Sequence, residues 1–192
     1  MSPRVGITIE TILQAAAEIA DQDGFHSVSL ATLSKKLNIR TPSIYNHING
    51  LDGLRTRLAS FSIMKLHASL TLAVTGRSGD EAVFELAKSY LLFARTHPGL
   101  YEATLMAPDP DDEDVIKAGE SIVDLCVRVL RAYELGEAAT LHAIRGLRSL
   151  LHGFASLEQK QGFQLSLDKD RSFELLIENF VHGIHLYKGK EN

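Results

Sequence analysis

From Thr8 onward, Ile12, Ala15, Ala16, Ile19 and Ala20 recur at i, i+3, i+4, i+7 and i+8, the stripe of an amphipathic helix. Gly24 follows where such a helix needs a residue free to leave it. Ser29 is placed to cap a second, short helix with Leu30, Leu33 and Leu37 on one face, and Asn38 can take the left-handed conformation that ends it. Thr41 is expected to cap a third helix carrying Pro42 at its first position, where a missing N–H costs nothing. That helix turns Ile44 inward and stops at Asn49-Gly50. Leu51 then opens a longer helix through Leu54, Leu58, Phe61, Met64 and Leu72.

No later stretch alternates apolar and polar positions over the length a strand needs. Asp80 stands as the expected cap of a helix burying Val83, Phe84, Ala87, Leu91 and Ala94, and His97-Pro98-Gly99 stops it. Leu100 to Met106 is a short helical piece, and an acidic run through Asp114 caps the helical periodicity of Val115 to Tyr133. Two more helices are expected, at about 137–161 and 171–187. The pattern predicts an all-α chain: a three-helix helix-turn-helix domain at 1–50 joined to a larger helical bundle at 51–192.

Composition adds exclusions. At 192 residues, 45% hydrophobic and 23% charged, the chain is too apolar for a disordered segment. It also lacks the run of about 18 apolar residues that would span a bilayer, so no membrane partner is expected. The start MSPRVG has no signal-peptide core, and the lone Cys126 cannot pair within the chain. The cytoplasm is the expected compartment.

Charge changes the picture more. Between residues 27 and 57, Lys35, Lys36, Arg40, Arg55 and Arg57 face the single acid Asp52. That is a local net charge of +4 in a chain whose total is −4, which leaves −8 on the remainder. A basic element on an acidic body points to a polyanion. The basic segment coincides with two short helices joined by Asn38-Ile39-Arg40, the spacing of a helix-turn-helix. Thr41, Ser43 and Asn46 offer short donors and acceptors for base edges, while Lys35, Lys36, Tyr45 and His47 can reach phosphates. An αα-hairpin in a bundle shares this connectivity, but a short second helix with few apolar positions suits a groove better than a core. Double-stranded DNA is the partner this patterning favours.

Leu33-Ser34-Lys35-Lys36-Leu37-Asn38-Ile39-Arg40-Thr41-Pro42-Ser43-Ile44-Tyr45-Asn46-His47-Ile48, with Leu54 following, resembles the DNA-binding domain of TetR/AcrR transcriptional regulators. Leu151 to Glu158, reading LHGFASLE, is similar to the WHG type of regulatory domain in that family, with leucine in place of tryptophan. Asn38 replaces a common glycine, and Leu51 replaces a lysine that touches phosphate in many members. The resemblance implies a homodimeric repressor, its DNA-binding residues Lys35, Lys36, Arg40, Thr41, Pro42, Ser43, Tyr45, Asn46 and His47 set on a palindromic operator. It also implies a larger domain that answers a small-molecule effector.

The last two helices carry more apolar surface than one inner face needs, so Leu147, Leu151, Phe154, Ile177, Phe180, Val181 and Ile184 belong either to a two-fold four-helix interface or to the chain's own core. Aromaticity with polar tips marks Met64, His67, Tyr90, Phe93, His97, Tyr101, Met106 and Phe154 as effector-pocket candidates, residues that equally suit ordinary core.

Other chemistries find little support. His182 and His185 stand one turn apart, too few for a metal site. The acidic run has Asp114 where a calcium loop from Asp109 needs glycine. Cys126 sits among Leu125, Val127 and Val129 as a small hydrophobe. There is no nucleophile beside a base and no glycine-rich phosphate cradle. No cofactor, metal or enzymatic activity is expected. A helical protein-binding adaptor with an unused helix-turn-helix is the rival reading, and it leaves the local +4 without a purpose.

Overall fold

The structure is a computed structural model and describes residues 7–105 and 112–187. Among these residues it is all-helical, with nine α-helices: α1 Ile9–Asp23, α2 Leu30–Leu37, α3 Thr41–Tyr45, α4 Gly50–Val74, α5 Gly79–Thr96, α6 Pro98–Ala103, α7 Glu113–Leu130, α8 Glu137–Gln159 and α9 Lys169–Tyr187. Two compact units emerge, one built from residues up to Lys65 with Thr96–Gly119, the other from Leu66–Arg95 with the residues after Gly119.

Local chemistry sets most boundaries. Thr8 accepts the N–H of Thr11 to start α1, and Gly24, at φ 88°, ends it while donating its N–H to the Ala20 carbonyl. Ser29 and Thr32 form a reciprocal capping box at α2. Asn38 leaves α2 in the left-handed region at φ 52° and ψ 47°. The start of α3 departs from expectation: Arg40 holds the cap position, Thr41 is already helical, and no side chain caps the helix. The Thr41 hydroxyl turns instead to that of Ser34, 3.4 Å away, which removes it from capping. Asp80 is likewise no cap. It lies inside the first turn of α5, drawn to Tyr133 and His185. Asp112 does cap α7, accepting the Val115 N–H at 2.9 Å, whereas Asp109 to Asp111 lie outside the described residues.

In the first unit α1 buries Ile12, Ala16, Ile19 and Ala20, and packs on α2 and α6. The α1–α6 seam is close: a Cβ on Gly99 would stand 2.1 Å from the carbonyl carbon and oxygen of Ala20. Asp21 of α1 accepts the N–H groups of Gly99 and Leu100 at 2.9 and 3.0 Å, capping α6 from a neighbouring helix. Its other oxygen lies 2.8 Å from Nδ1 of His97.

In the second unit Arg95 grips Glu158 with two bonds of 2.8 Å and Asp170 with one of 2.6 Å, tying α5 to both α8 and α9. Gln159 adds a bond from its amide to the Ala94 carbonyl. Leu147, Leu151, Phe154, Ile177, Val181 and Ile184 are all buried inside this single chain. Cys126 is buried too, and desolvation pushes its thiol up to about 11.

Candidate nucleic-acid interface

The geometry of α3 follows from how little of it is apolar. Ile44 and Ile48, one turn apart, are completely or almost completely buried, and Leu33 of α2 is equally so. With that edge fixed inward, the rest of a five-residue helix must face out. Tyr45 is 58% exposed, Arg40, Pro42, Asn46 and His47 are exposed, and Thr41 and Ser43 are half-buried. Backbone bonds from the His47 and Ile48 N–H groups to the Ile44 carbonyl carry the turn beyond Tyr45, so Asn46 and His47 continue the helical face. The nine residues expected to meet DNA therefore share the surface of α2, the turn and α3.

Their electrostatics are unequal. Lys35 and Arg40 are exposed and have no ion-pair partner among the described residues. Lys36 instead pairs with Glu18 of α1 at 2.8 Å, and that bond, helped by Gln14, holds the Glu18 carboxyl below its ordinary value. Arg55, counted in the basic segment, has its Nε buried without a partner among the described residues.

Sequence reasoning missed a cleft of about 930 Å³ that adjoins this surface, lined in part by Glu10, Tyr45, His47, Asp52, Arg57 and Met64. His47 adds a small attraction to the Glu10 carboxylate, which is lowered first by its own backbone N–H and then by Thr8. The lining is dispersed over α1, α4 and the start of α7, so no local pattern announces it.

The effector-pocket candidates are divided between the two units. Met64, 62% exposed, lines the cleft just described. Tyr101 is fully buried and His97 is tied to Asp21, both in the first unit. His67 is half-buried with a ring nitrogen 3.4 Å from the Thr71 hydroxyl, and Tyr90 and Phe93 are buried on α5, all in the second unit. Phe154, also in that unit, walls a separate cavity at the α8–α9 turn. Met106 lies outside the described residues.

Of the seven residues expected at a dimer interface, six are buried and Phe180 is half-buried. It borders a groove of about 570 Å³ between α8 and α9, whose walls include Ala139, Ala143, Gly146, Gly183 and Tyr187.

Residues 83–180 match the family model for the tetracyclin repressor-like C-terminal domain. The chain belongs to the TetR family of transcriptional regulators. Along almost all of its length it is similar to YobS of Bacillus subtilis, described as an uncharacterized HTH-type transcriptional regulator, at 45% identity over 186 residues and 96% of each chain. Two solved structures show how widely this TetR fold is shared. One is a protein of unknown function from Rhodococcus sp. RHA1, with TM-score 0.80 and 22% identity over 95% of this chain and 98% of that one. The other is ActR of Streptomyces coelicolor in complex with actinorhodin, with TM-score 0.72 and 20% identity over 99% of both. A second relative, Rv0681 of Mycobacterium tuberculosis, 30% identical over 91% of this chain and 80% of that one, is likewise described as an uncharacterized HTH-type transcriptional regulator. Among the described residues no helix is long and apolar enough to cross a membrane.

Proposed function

We propose that this TetR-family regulator is a cytoplasmic, homodimeric repressor that reads a palindromic operator in duplex DNA and responds to a small-molecule effector. The observation that carries the reading is the anchoring of α3 by Ile44 and Ile48, which leaves Thr41, Ser43 and Asn46 to meet base edges. Lys35, Arg40 and Tyr45 beside them supply phosphate contacts, which fix register without reading sequence. The dimer is assigned to the α8–α9 groove, whose small residues let a second pair of helices approach closely. The effector is assigned to the second unit, where His67, Tyr90 and Phe93 combine aromatic and polar groups, and ActR with its bound actinorhodin supports a ligand-responsive role.

Selection of bound duplexes from a random pool tests the proposal. A two-fold symmetric consensus is expected, with half-sites centred about 34 to 36 Å apart so that paired recognition helices enter successive major grooves. Asn46→Ala should then cost about 1 to 3 kcal/mol on the selected site and little on random duplex. A pool that stays unselected, or an asymmetric single half-site, would overturn the reading.

A further inference from the structure

The turn from α8 to α9 builds a cavity that the regulator reading does not use. Gln161 leaves α8 at φ 55°, and Gly162 donates its N–H to the Leu157 carbonyl at 2.7 Å. Gln164 closes the bend through its amide on the Gln161 carbonyl at 3.0 Å, and Asp168 caps α9 by accepting the Asp170 and Arg171 N–H groups. Pinned at both ends, the turn lays the Phe163 ring 4.9 Å from that of Phe154, which stands edge-on to Phe173 at 5.0 Å. What remains between the turn and α8 is an opening of about 330 Å³, a small-molecule volume.

Two features point to an occupant. Leu165 and Leu167 line the opening yet are 75% and 68% exposed, apolar walls without apolar cover. Lys169 is the one charged residue of the lining, and it has no ion-pair partner among the described residues. The carboxylates on either side of it in the chain are engaged elsewhere, Asp170 with Arg95 and Asp168 with the start of α9. A free cation beside a rigid apolar hollow selects an amphipathic anion.

We propose that this cavity binds a small aromatic or acyl anion, its apolar body against Phe154, Phe163, Leu165 and Leu167 and its acid group on Lys169. The site is independent of the effector reading, because its test measures binding and not DNA release.

Fluorescence titration of the full chain with 8-anilinonaphthalene-1-sulfonate and with its uncharged counterpart N-phenyl-1-naphthylamine tests it, at several protein concentrations. Lys169→Gln should weaken the sulfonate about three- to five-fold, the worth of one partly exposed charge pair, and leave the neutral dye unchanged. The double variant Leu165→Ser, Leu167→Ser should weaken both dyes about ten-fold or more. These side chains are exposed, so the fold does not depend on them. Failure of either dye to bind overturns the proposal, as does equal weakening of both by Lys169→Gln or unchanged binding in the double variant. Binding that declines as protein concentration rises also overturns it, assigning the leucines to contact with a second copy.

Discussion

Gly99 is the residue with the least room to change. Its Cα lies against the Ala20 backbone, and an added methyl meets main chain rather than a side chain able to swing away. Gly99→Ala is expected to part α6 from α1 and to cost about 3 kcal/mol in denaturant unfolding. A loss under about 1 kcal/mol would show that the seam yields. By contrast, the Lys36–Glu18 pair is partly open to solvent and worth little by itself. On the proposed reading it competes with DNA for the Lys36 cation. Glu18→Gln should therefore tighten binding to random duplex by a few tenths of a kcal/mol up to about 1, and Lys35→Ala, which removes an unengaged charge, should lower the salt slope by about 1. Unchanged affinity in Glu18→Gln would remove Lys36 from the phosphate contacts. What was legible at this scale was what is local. Ser29 and Asn38 act within four residues of their partners, so their roles stand in the sequence, and Thr41 was misplaced by a single position. The tie of His97 to Asp21, 76 residues away, leaves no trace in the spacing.

Between elements, the junction of α5, the turn after α7 and α9 is held by one carboxylate. Asp80 accepts the Tyr133 hydroxyl at 2.6 Å and lies 2.9 Å from Nε2 of His185, whose ring stands edge-on to Tyr133. The Tyr133 bond first, and His185 after it, hold the Asp80 carboxyl below its ordinary value. Burial, followed by the Asp80 bond and charge, pushes the Tyr133 phenol up. The two shifts act at opposite ends of the pH scale. A lowered carboxyl contributes stability that is present above the unfolded pKa of about 3.9 and lost as pH falls below it; a raised phenol contributes stability that is present below about 10 and lost as pH rises past it. Unfolding followed across pH should thus show an acid limb flattened by Asp80→Asn and an alkaline limb flattened by Tyr133→Phe. Because the Asp80 side chain is half-exposed, its share is discounted to less than about 1 kcal/mol. If neither substitution changes its limb, the junction does not bear on stability. Helix periodicity located all three elements, but the tie itself spans 53 and 105 residues and belongs to tertiary packing alone.

For the molecule as a whole, the sequence marked α8 and α9 as too apolar for one buried face without separating the face turned inward from the face left open. Leu147, Leu151, Phe154, Ile177, Val181 and Ile184 turn inward, because in the folded chain they are the layer between helices. The two helices also leave Leu141, Leu175 and Leu186 exposed, and between the helices lies an open face. Its groove is made by Ala139, Ala143, Gly146 and Gly183 flanked by Phe180 and Tyr187, and small residues contribute little to a periodicity signal while permitting close helix approach. If a second copy packs there, Gly183 separates the stability of the chain from that of the pair. A Cβ added at Gly183 meets nothing within 4 Å, so a side chain there starts out into open space, and Gly183→Leu is expected to gain up to about 1 kcal/mol of helix propensity in the single chain. The same side chain would stand in the path of two helices that must approach to about 8 to 10 Å. Gly183→Leu is therefore expected to keep full helicity and an undiminished melting temperature at low concentration. It should sediment as a monomer at micromolar concentration and lose affinity for the palindrome while retaining it for an isolated half-site. Should the variant remain a dimer with unchanged operator affinity, the assembly surface lies away from α8 and α9, and the groove there is free for some other occupant.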